Sequence, residues 1–336
     1  MHRLAATVKD IASKTGLGLA TISSYLNGGN VREKNRVKIE DAIKELNFEV
    51  NEVARGLKTR RTHTIGVVLP ELHNIFHMEI ITEVEEYLRR RGYATMICDC
   101  KNSKELEKEA VEFLYRKRVD GIINIPVSSD GAHLESFIKN NKPVVLIDRK
   151  LKTVACDSVL VNNIQAAKEA VDLLIRNGHR RIGIIGGPED IYTAQERMIG
   201  YHISLQEAGV EIEQSLIAHG NYTIKGGVEC MKELIRRNPD MTAVFVINYE
   251  MTMGAVIGIN ELGLTIGENI SMIGYDNVDF ARATKPRLTI VEQPTIRIAD
   301  EAARLMLSRL DGEHEENKVV KVDSTILMGK SIRKIG

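Results

Sequence analysis

Residues Thr64–Arg90 read TIGVVLPELHNIFHMEIITEVEEYLRR. The apolar run Ile65–Leu69 stops at Pro70, and from Glu79 to Arg90 apolar residues recur at helical spacing. A short buried strand followed by an amphipathic helix is the building unit of an α/β protein. The unit recurs. Further strand candidates are Ala94–Cys98, Gly121–Ile125, Val144–Ile147, Val159–Val161, Ile182–Ile185, Ala243–Ile247, Ile270–Gly274 and Leu288–Val291. Helical segments near Glu105–Arg116, Gln165–Arg176, Arg197–Ala208, Gly226–Arg237, Thr252–Leu262 and Ile296–Leu310 lie between most of them. Regular alternation predicts parallel sheets covered on both faces. The stretch is long for one sheet and is divided here into two lobes. Ligands in such folds bind beyond the carboxyl ends of the strands. That rule points to Leu69–His77, Ile147–Arg149, Gly186–Arg197, Asn248–Glu250 and Tyr275–Asn277.

Working outward toward the N-terminus, the texture changes. Val8, Ile11 and Ala12 mark one short helical face, Leu17, Ile22 and Leu26 a second, and Ile39, Ala42, Ile43 and Leu46 a third. Gly16 separates the first two, and Asn27-Gly28-Gly29-Asn30 the last two, which is turn chemistry where helices stop. Two short helices joined by a tight turn and braced by a third form a helix-turn-helix. Its second helix runs from about Leu19 to Leu26, and the small polar Thr21, Ser23 and Ser24 suit a face laid against phosphates. Lys58, Arg60 and Arg61 then lie in a polar tract that reads as a basic linker.

Composition agrees with this division. The chain has 336 residues, 43% apolar and 27% charged, which fits a globular protein and excludes a disordered or fibrous one. Lys+Arg and Asp+Glu are both 46, but up to Arg61 there are 12 basic against 7 acidic side chains, and 34 against 39 afterwards. A basic head on an acidic body points to an anionic polymer as partner of the head. Four cysteines without zinc-ligand spacing indicate reduced thiols rather than a disulfide framework. Lys9 and Asp10 interrupt any signal-peptide core, and no apolar run reaches membrane-spanning length. A cytoplasmic protein with no membrane partner is expected.

The tract Thr7–Asn27 (TVKDIASKTGLGLATISSYLN) resembles the DNA-binding head of the LacI/GalR family of bacterial transcription repressors. Asn51–Lys58 (NEVARGLK) resembles that family's hinge helix, and Thr64–Leu69 the first strand of its ligand-binding core. Asn177–Ile182 (NGHRRI), Ala243–Gly254 (AVFVINYEMTMG) and Ile273–Asn277 (IGYDN) are further matches, in order and over essentially the whole chain. The resemblance implies a helix-turn-helix head at residues 1–50, a hinge helix and linker at 51–63, and a periplasmic-binding-protein-like core of two doubly wound α/β lobes at 64–336. It implies a homodimer that binds a near-palindromic double-stranded operator. Leu19, Ala20, Thr21, Ser23, Ser24 and Asn27 would meet the major groove; Arg55, Leu57 and Lys58 would meet the minor groove, with Leu57 as the kinking wedge. Leu19, Ala20 and Ser24 stand where many members carry larger polar side chains, so contact with thymine methyls is expected in place of bidentate bonds to guanine. Gly56 weakens the free hinge, and Val50 replaces a common proline. No heptad tail of the kind that builds tetramers follows Met328, which favours a dimer.

By the same match, Asp276, Arg197 and Asn248 are effector-binding candidates, joined by Asp148 after its strand and by the aromatic Phe76 and Tyr222. A carboxylate, a guanidinium and an amide in one cleft exchange charge-assisted hydrogen bonds with several hydroxyls. A sugar or sugar phosphate is the expected effector. A nucleoside or purine is the next, because Tyr249 replaces the aspartate that often follows the asparagine and Trp is absent. Two other classes compete: a soluble sugar-binding protein, and an enzyme with a DNA-binding appendage. Gly186-Gly187-Pro188 lacks the spacing of a nucleotide loop, and His73 and His77 lack the order of a zinc protease motif. No cofactor or metal is expected.

Overall fold

The computed structural model describes residues 6–26, 28–48, 61–313 and 316–335. Asn27, Arg55, Leu57 and Lys58, together with Val50 and Gly56, lie outside the described residues. The chain divides into two compact units, Met1–Thr62 and His63–Gly336.

The first unit contains α1 (Val8–Thr15), α2 (Leu19–Leu26) and α3 (Glu33–Leu46). α1 begins with a capping box. The Asp10 carboxylate accepts from both the backbone N–H and the hydroxyl of Thr7, each at 2.7 Å, which satisfies a donor that the helix leaves open. It ends at Gly16, whose φ of 67° is left-handed and closes the helix tightly enough for the turn into α2. Ile11, Ile22, Ile39 and Ala42 form the buried centre, one from each short helix and two from the longer one, as their spacing predicts.

The second unit holds two six-stranded sheets. Lobe 1 opens with β1 (Thr64–Leu69), α4 (Ile75–Arg90), β2 (Ala94–Asp99), α5 (Lys104–Arg116) and β3 (Gly121–Asn124). It continues with α6 (Glu135–Lys139), β4 (Val144–Ile147) and β5 (Asp157–Val161). The chain then crosses into lobe 2, which is built from α7 (Asn163–Arg176), β6 (Ile182–Gly186), α8 (Tyr192–Glu207), β7 (Ile217–His219) and α9 (Ile224–Arg237). Next come β8 (Ala243–Val246), α10 (Tyr249–Glu261), β9 (Ser271–Tyr275), α11 (Val278–Ala283) and β10 (Thr289–Glu292). The chain returns to lobe 1 for α12 (Thr295–Leu310) and β11 (Val319–Val322), then ends in lobe 2 with β12 (Thr325–Leu327). The sheet orders are β11-β5-β4-β3-β1-β2 and β12-β10-β9-β8-β6-β7. Among these pairs only β10–β12 is antiparallel.

Three connections therefore join the lobes, near residues 162, 293 and 324. Such a triple crossing acts as a hinge with the strand carboxyl ends of both sheets facing the space between. Arg309 of α12 fastens the returning chain to lobe 1 through two bonds to the Asp157 carboxylate, 2.7 and 2.8 Å long.

The central strands read as unbroken apolar runs because both sheet faces are covered. The sequence reading misses β7, β11 and β12, and all three are edge strands whose side chains, apart from Val322, are exposed or half-buried. It also starts several helices late. α4 begins at Ile75 rather than near Glu79, α8 at Tyr192 rather than Arg197, and α10 at Tyr249 rather than Thr252. Each omitted first turn borders the space between the lobes; those of α8 and α10 carry polar residues such as Thr193 and Glu250, so apolar periodicity starts only one turn later there.

α9 and α10 pack at backbone distance. A Cβ on Gly254 would meet the Ile224 carbonyl oxygen at 2.1 Å and the Val228 nitrogen at 2.8 Å. Gly254→Ala should therefore push the two helices apart and destabilise the core by about 1–3 kcal/mol. Urea unfolding of the intact chain followed by circular dichroism checks this, and an unchanged midpoint would mean the helices move apart at no cost.

Candidate functional site

Two places carry the sequence-predicted residues, one in each unit. In the head, Leu19 and Ala20 open α2 and are exposed, Leu19 to 49%. Thr21, Ser23 and Ser24 are half-buried on the same helix, while Ile22 turns inward to the core. An exposed leucine at the start of a polar-flanked helix leaves its methyl groups available to an apolar contact.

In the second unit a cleft open to solvent lies between the lobes. Phe76, Asp148, Arg197, Tyr222, Asn248 and Asp276, the six effector candidates, all line it. The strand-end windows hold most of its other residues: Glu71, Asn74, His77, Arg149, Thr193, Tyr249 and Glu250. Asn102 and Gln293 also line it and were missed, although Gln293 directly follows β10 and obeys the same strand-end rule. Tyr222 follows β7, which periodicity did not reveal, so family resemblance alone pointed to it.

On the lobe 2 side a chain of bonds runs from Asn163 through Arg197 and Gln293 to Asp276. Arg197, 4% exposed, donates through Nε to Asn163 Oδ1 at 2.8 Å and through its terminal nitrogens to the Ile247 carbonyl at 2.6 Å and Gln293 Oε1 at 3.0 Å. Its guanidinium lies over the Tyr275 ring, 4.0 Å from the centroid. Gln293 then passes a hydrogen bond from Nε2 to Asp276 Oδ2 at 2.9 Å. Arginine and carboxylate thus meet through an amide rather than in a direct ion pair. Burial pushes the Asp276 carboxyl up to about 7, against the pull of Arg197 and Gln293.

Asn248 has a structural task as well. Its Oδ1 caps α10 by accepting from Met251 N at 3.0 Å, and its Nδ2 donates to Glu250 Oε2 at 2.5 Å. The other Glu250 oxygen accepts from Asn74 Nδ2 of lobe 1 at 2.8 Å, so one carboxylate ties the two lobes at the cleft. Burial raises the Glu250 carboxyl above its ordinary value.

Backbone strain collects here. Asp148, Tyr222 and Asp276 have φ of 68°, 59° and 53°, and the adjoining Asn277 has 45°. Left-handed backbone at non-glycine residues costs on the order of 1–3 kcal/mol each and gathers where side chains must be aimed. Among the described residues no cluster of His, Cys, Asp and Glu is arranged to hold a metal, and no helix is long and apolar enough to cross a membrane.

Comparison with known proteins fits both places. Residues 7–51 match bacterial regulatory proteins of the lacI family, and residues 62–326 match the periplasmic binding proteins and sugar binding domain of the LacI family. The chain belongs to the LacI family. A HTH-type transcriptional repressor PurR from Mannheimia succiniciproducens is 32% identical to this LacI-family chain, over 98% of it and 99% of the relative. A solved transcriptional regulator, CelR in complex with cellobiose, is 29% identical with a TM-score of 0.75, covering 97% of this chain and 99% of that one. A LacI family transcriptional regulator from Enterococcus faecium with bound ribose is 25% identical with a TM-score of 0.74, covering 81% and 100%. The LacI-family chain is thus a DNA-binding transcriptional regulator with a helix-turn-helix head and a two-lobed binding core.

The titration of Asp276 gives a test within this LacI-family core. Its carboxyl has an ordinary value of 3.8 and reaches about 7 in the fold. Its share of stability is therefore full below about 3.8 and is lost as pH rises through about 7. Asp276→Asn removes that loss, so the variant should gain stability relative to the parent between pH 4 and pH 8. His77, which burial and the Arg149 guanidinium push down to about 3, acts in the opposite sense but is common to both proteins. Urea titrations at the two pH values check the difference, and a constant gap would place a solvated carboxylate at Asp276.

Proposed function

We propose that the protein is a repressor that binds a near-palindromic operator as a homodimer and changes its DNA affinity when a neutral sugar enters the cleft. Residues 1–50 serve as the head, 51–63 as hinge helix and linker, and 64–336 as effector-binding and dimerisation core. It works beside DNA in the bacterial cytoplasm, and we read it as a regulator rather than an enzyme. In this reading Leu19, Ala20, Thr21, Ser23, Ser24 and Asn27 face the major groove, and Arg55, Leu57 and Lys58 the minor groove. Phe76, Asp148, Arg197, Tyr222, Asn248 and Asp276 hold the effector.

The observation that carries the effector class is charge. Arg149 is paired with the neighbouring Asp148 on the lobe 1 side, Arg197 reaches Asp276 through Gln293 on the lobe 2 side, and Glu71 and Glu250 add further carboxylates to the lining. An adjoining recess is bounded by Glu79, Asp279 and Glu292. Asp148 and Glu71 offset the two guanidinium charges even with Asp276 only partly ionised near neutral pH, so a phosphate dianion would find no net positive charge while a neutral polyol would find donors and acceptors together. Cellobiose and ribose in similar regulators support the same class. The PurR relative favours a nucleobase as second reading. The charged lining with a single aromatic on the lobe 1 side, Phe76, suits hydroxyl groups better than a flat heterocycle.

The effector biases the lobes only through its differential affinity for two arrangements, typically about 1–3 kcal/mol of coupling. Selection of bound duplexes from a random library should recover an inverted repeat with a deformable central step. Unenriched sequence with binding that only fades with salt would overturn specific recognition by the unliganded protein. Leu19→Ala should relax preference for thymine at one position of each half-site; strong selection for guanine there, lost in that variant, would count against the thymine contact. Asp276→Lys should abolish the response to the sugar while sparing operator binding, measured by fluorescence anisotropy. An unchanged response would remove Asp276 from the site.

A further inference from the structure

We propose that His77 is a specificity-determining residue of the cleft, whose imidazole Nδ1 hydrogen-bonds one hydroxyl of the bound sugar. The inference rests on the sugar reading above and adds a residue that the sequence reading weighed only as a metal ligand.

Buried polar atoms without a hydrogen bond lie on both walls of the cleft. On the lobe 2 side, Arg197, Gln293 and Asp276 satisfy one another, but the Tyr222 hydroxyl makes no hydrogen bond. On the lobe 1 side, His77 Nδ1, Asp148 Oδ1 and Arg149 Nε make none, although Arg149 Nε lies 3.6 Å from Asp148 Oδ2 as an ion pair. A buried polar atom without a partner costs about 1–3 kcal/mol. Several of them around one cleft mark where a ligand supplies the missing partners.

His77 is the most constrained of those on the lobe 1 side. It is 6% exposed and lies in the first turn of α4, where Asn74 Oδ1 accepts from its backbone N–H at 3.1 Å. The amide of the same Asn74 reaches Glu250 of lobe 2. The contact that ties the lobes therefore also fixes the start of the helix that carries the imidazole. The ring rests against Phe76, centroids 5.8 Å apart, which limits its rotation. Burial and the neighbouring Arg149 guanidinium keep the ring neutral, with one donor and one acceptor nitrogen. A hydroxyl both donates and accepts, so it meets Nδ1 in either tautomer. A sugar that lacks that hydroxyl leaves Nδ1 unpaired, which gives strong rejection of the deoxy analogue.

The test uses the intact chain and isothermal titration calorimetry. D-ribose, the other aldopentoses, the common aldohexoses and cellobiose are titrated first, then every monodeoxy analogue of the tightest binder. The wild type should lose roughly tenfold or more in affinity for the one analogue lacking the hydroxyl that Nδ1 reads. His77→Phe keeps a ring of similar size and should bind parent and analogue within about twofold of each other. His77→Asn carries a polar atom close to the Nδ1 position and should restore discrimination. His77→Leu repeats the removal should the phenylalanine variant unfold, and operator binding with circular dichroism reports the fold of each. If His77→Phe and His77→Leu reject the same analogue as strongly as the wild type, the inference is overturned while the sugar reading stands. If no neutral sugar binds the wild type, the sugar reading fails at the first step and takes this inference with it.

Discussion

A buried guanidinium organises the core. Arg197 is almost wholly removed from water, and an unpaired charge there would cost several kcal/mol. Its partners come from places far apart in the chain: Asn163 beside the first lobe crossing, Ile247 at the end of β8, Tyr275 at the end of β9 and Gln293 at the second crossing. Pairing that one charge thus requires the ends of two strands and two of the three crossings to come together. The geometry of the hinge and the geometry of the binding wall are settled by the same set of bonds.

The consequence is a cleft that keeps polar atoms open on both walls. Tyr222 on the lobe 2 side and His77, Asp148 and Arg149 on the lobe 1 side hold buried polar atoms without a hydrogen bond. A ligand that satisfies both walls at once gains most when the lobes are closed. That is the differential affinity a switch needs. The Asn74–Glu250 bond supports the closed arrangement from the protein side. Strained backbone at Asp148, Tyr222 and Asp276 aims side chains from three different strand ends into the space between.

How far the sequence is legible depends on what each element faces. Strands covered on both sides are apolar apart from a bonded residue such as Asn124, so GIINI, VVLI and AVFVI announce themselves. Edge strands such as Ile217–His219 and Val319–Val322 meet solvent and lose that signature. The first turns of α8 and α10 escape apolar periodicity because they carry polar residues, Thr193 and Glu250 among them, that line the cleft. Asp148, Asp276 and Arg197 could be found because a strand end or a family motif marks them. Arg149 and His77 fell inside the marked windows but carried no pattern that singled them out for the effector. Gln293 lay one residue past a strand, in a connection that looked like any other.

Sequence by itself determined the division into a basic helical head and an acidic α/β body, the parallel character of the sheets and the neighbourhood of the cleft. These follow from local periodicity, turn chemistry and composition, each of which is written in consecutive residues. Only the tertiary structure decided which polar groups are paired and which are left open. Arg197 and Asp276 communicate through Gln293, Asn248 is engaged as a helix cap, and His77 Nδ1 stands without a partner. Those outcomes depend on distances of a few ångströms between residues as many as 176 positions apart, such as Asn74 and Glu250. Burial raises the cost of an unmet hydrogen bond only once the two lobes have folded and met.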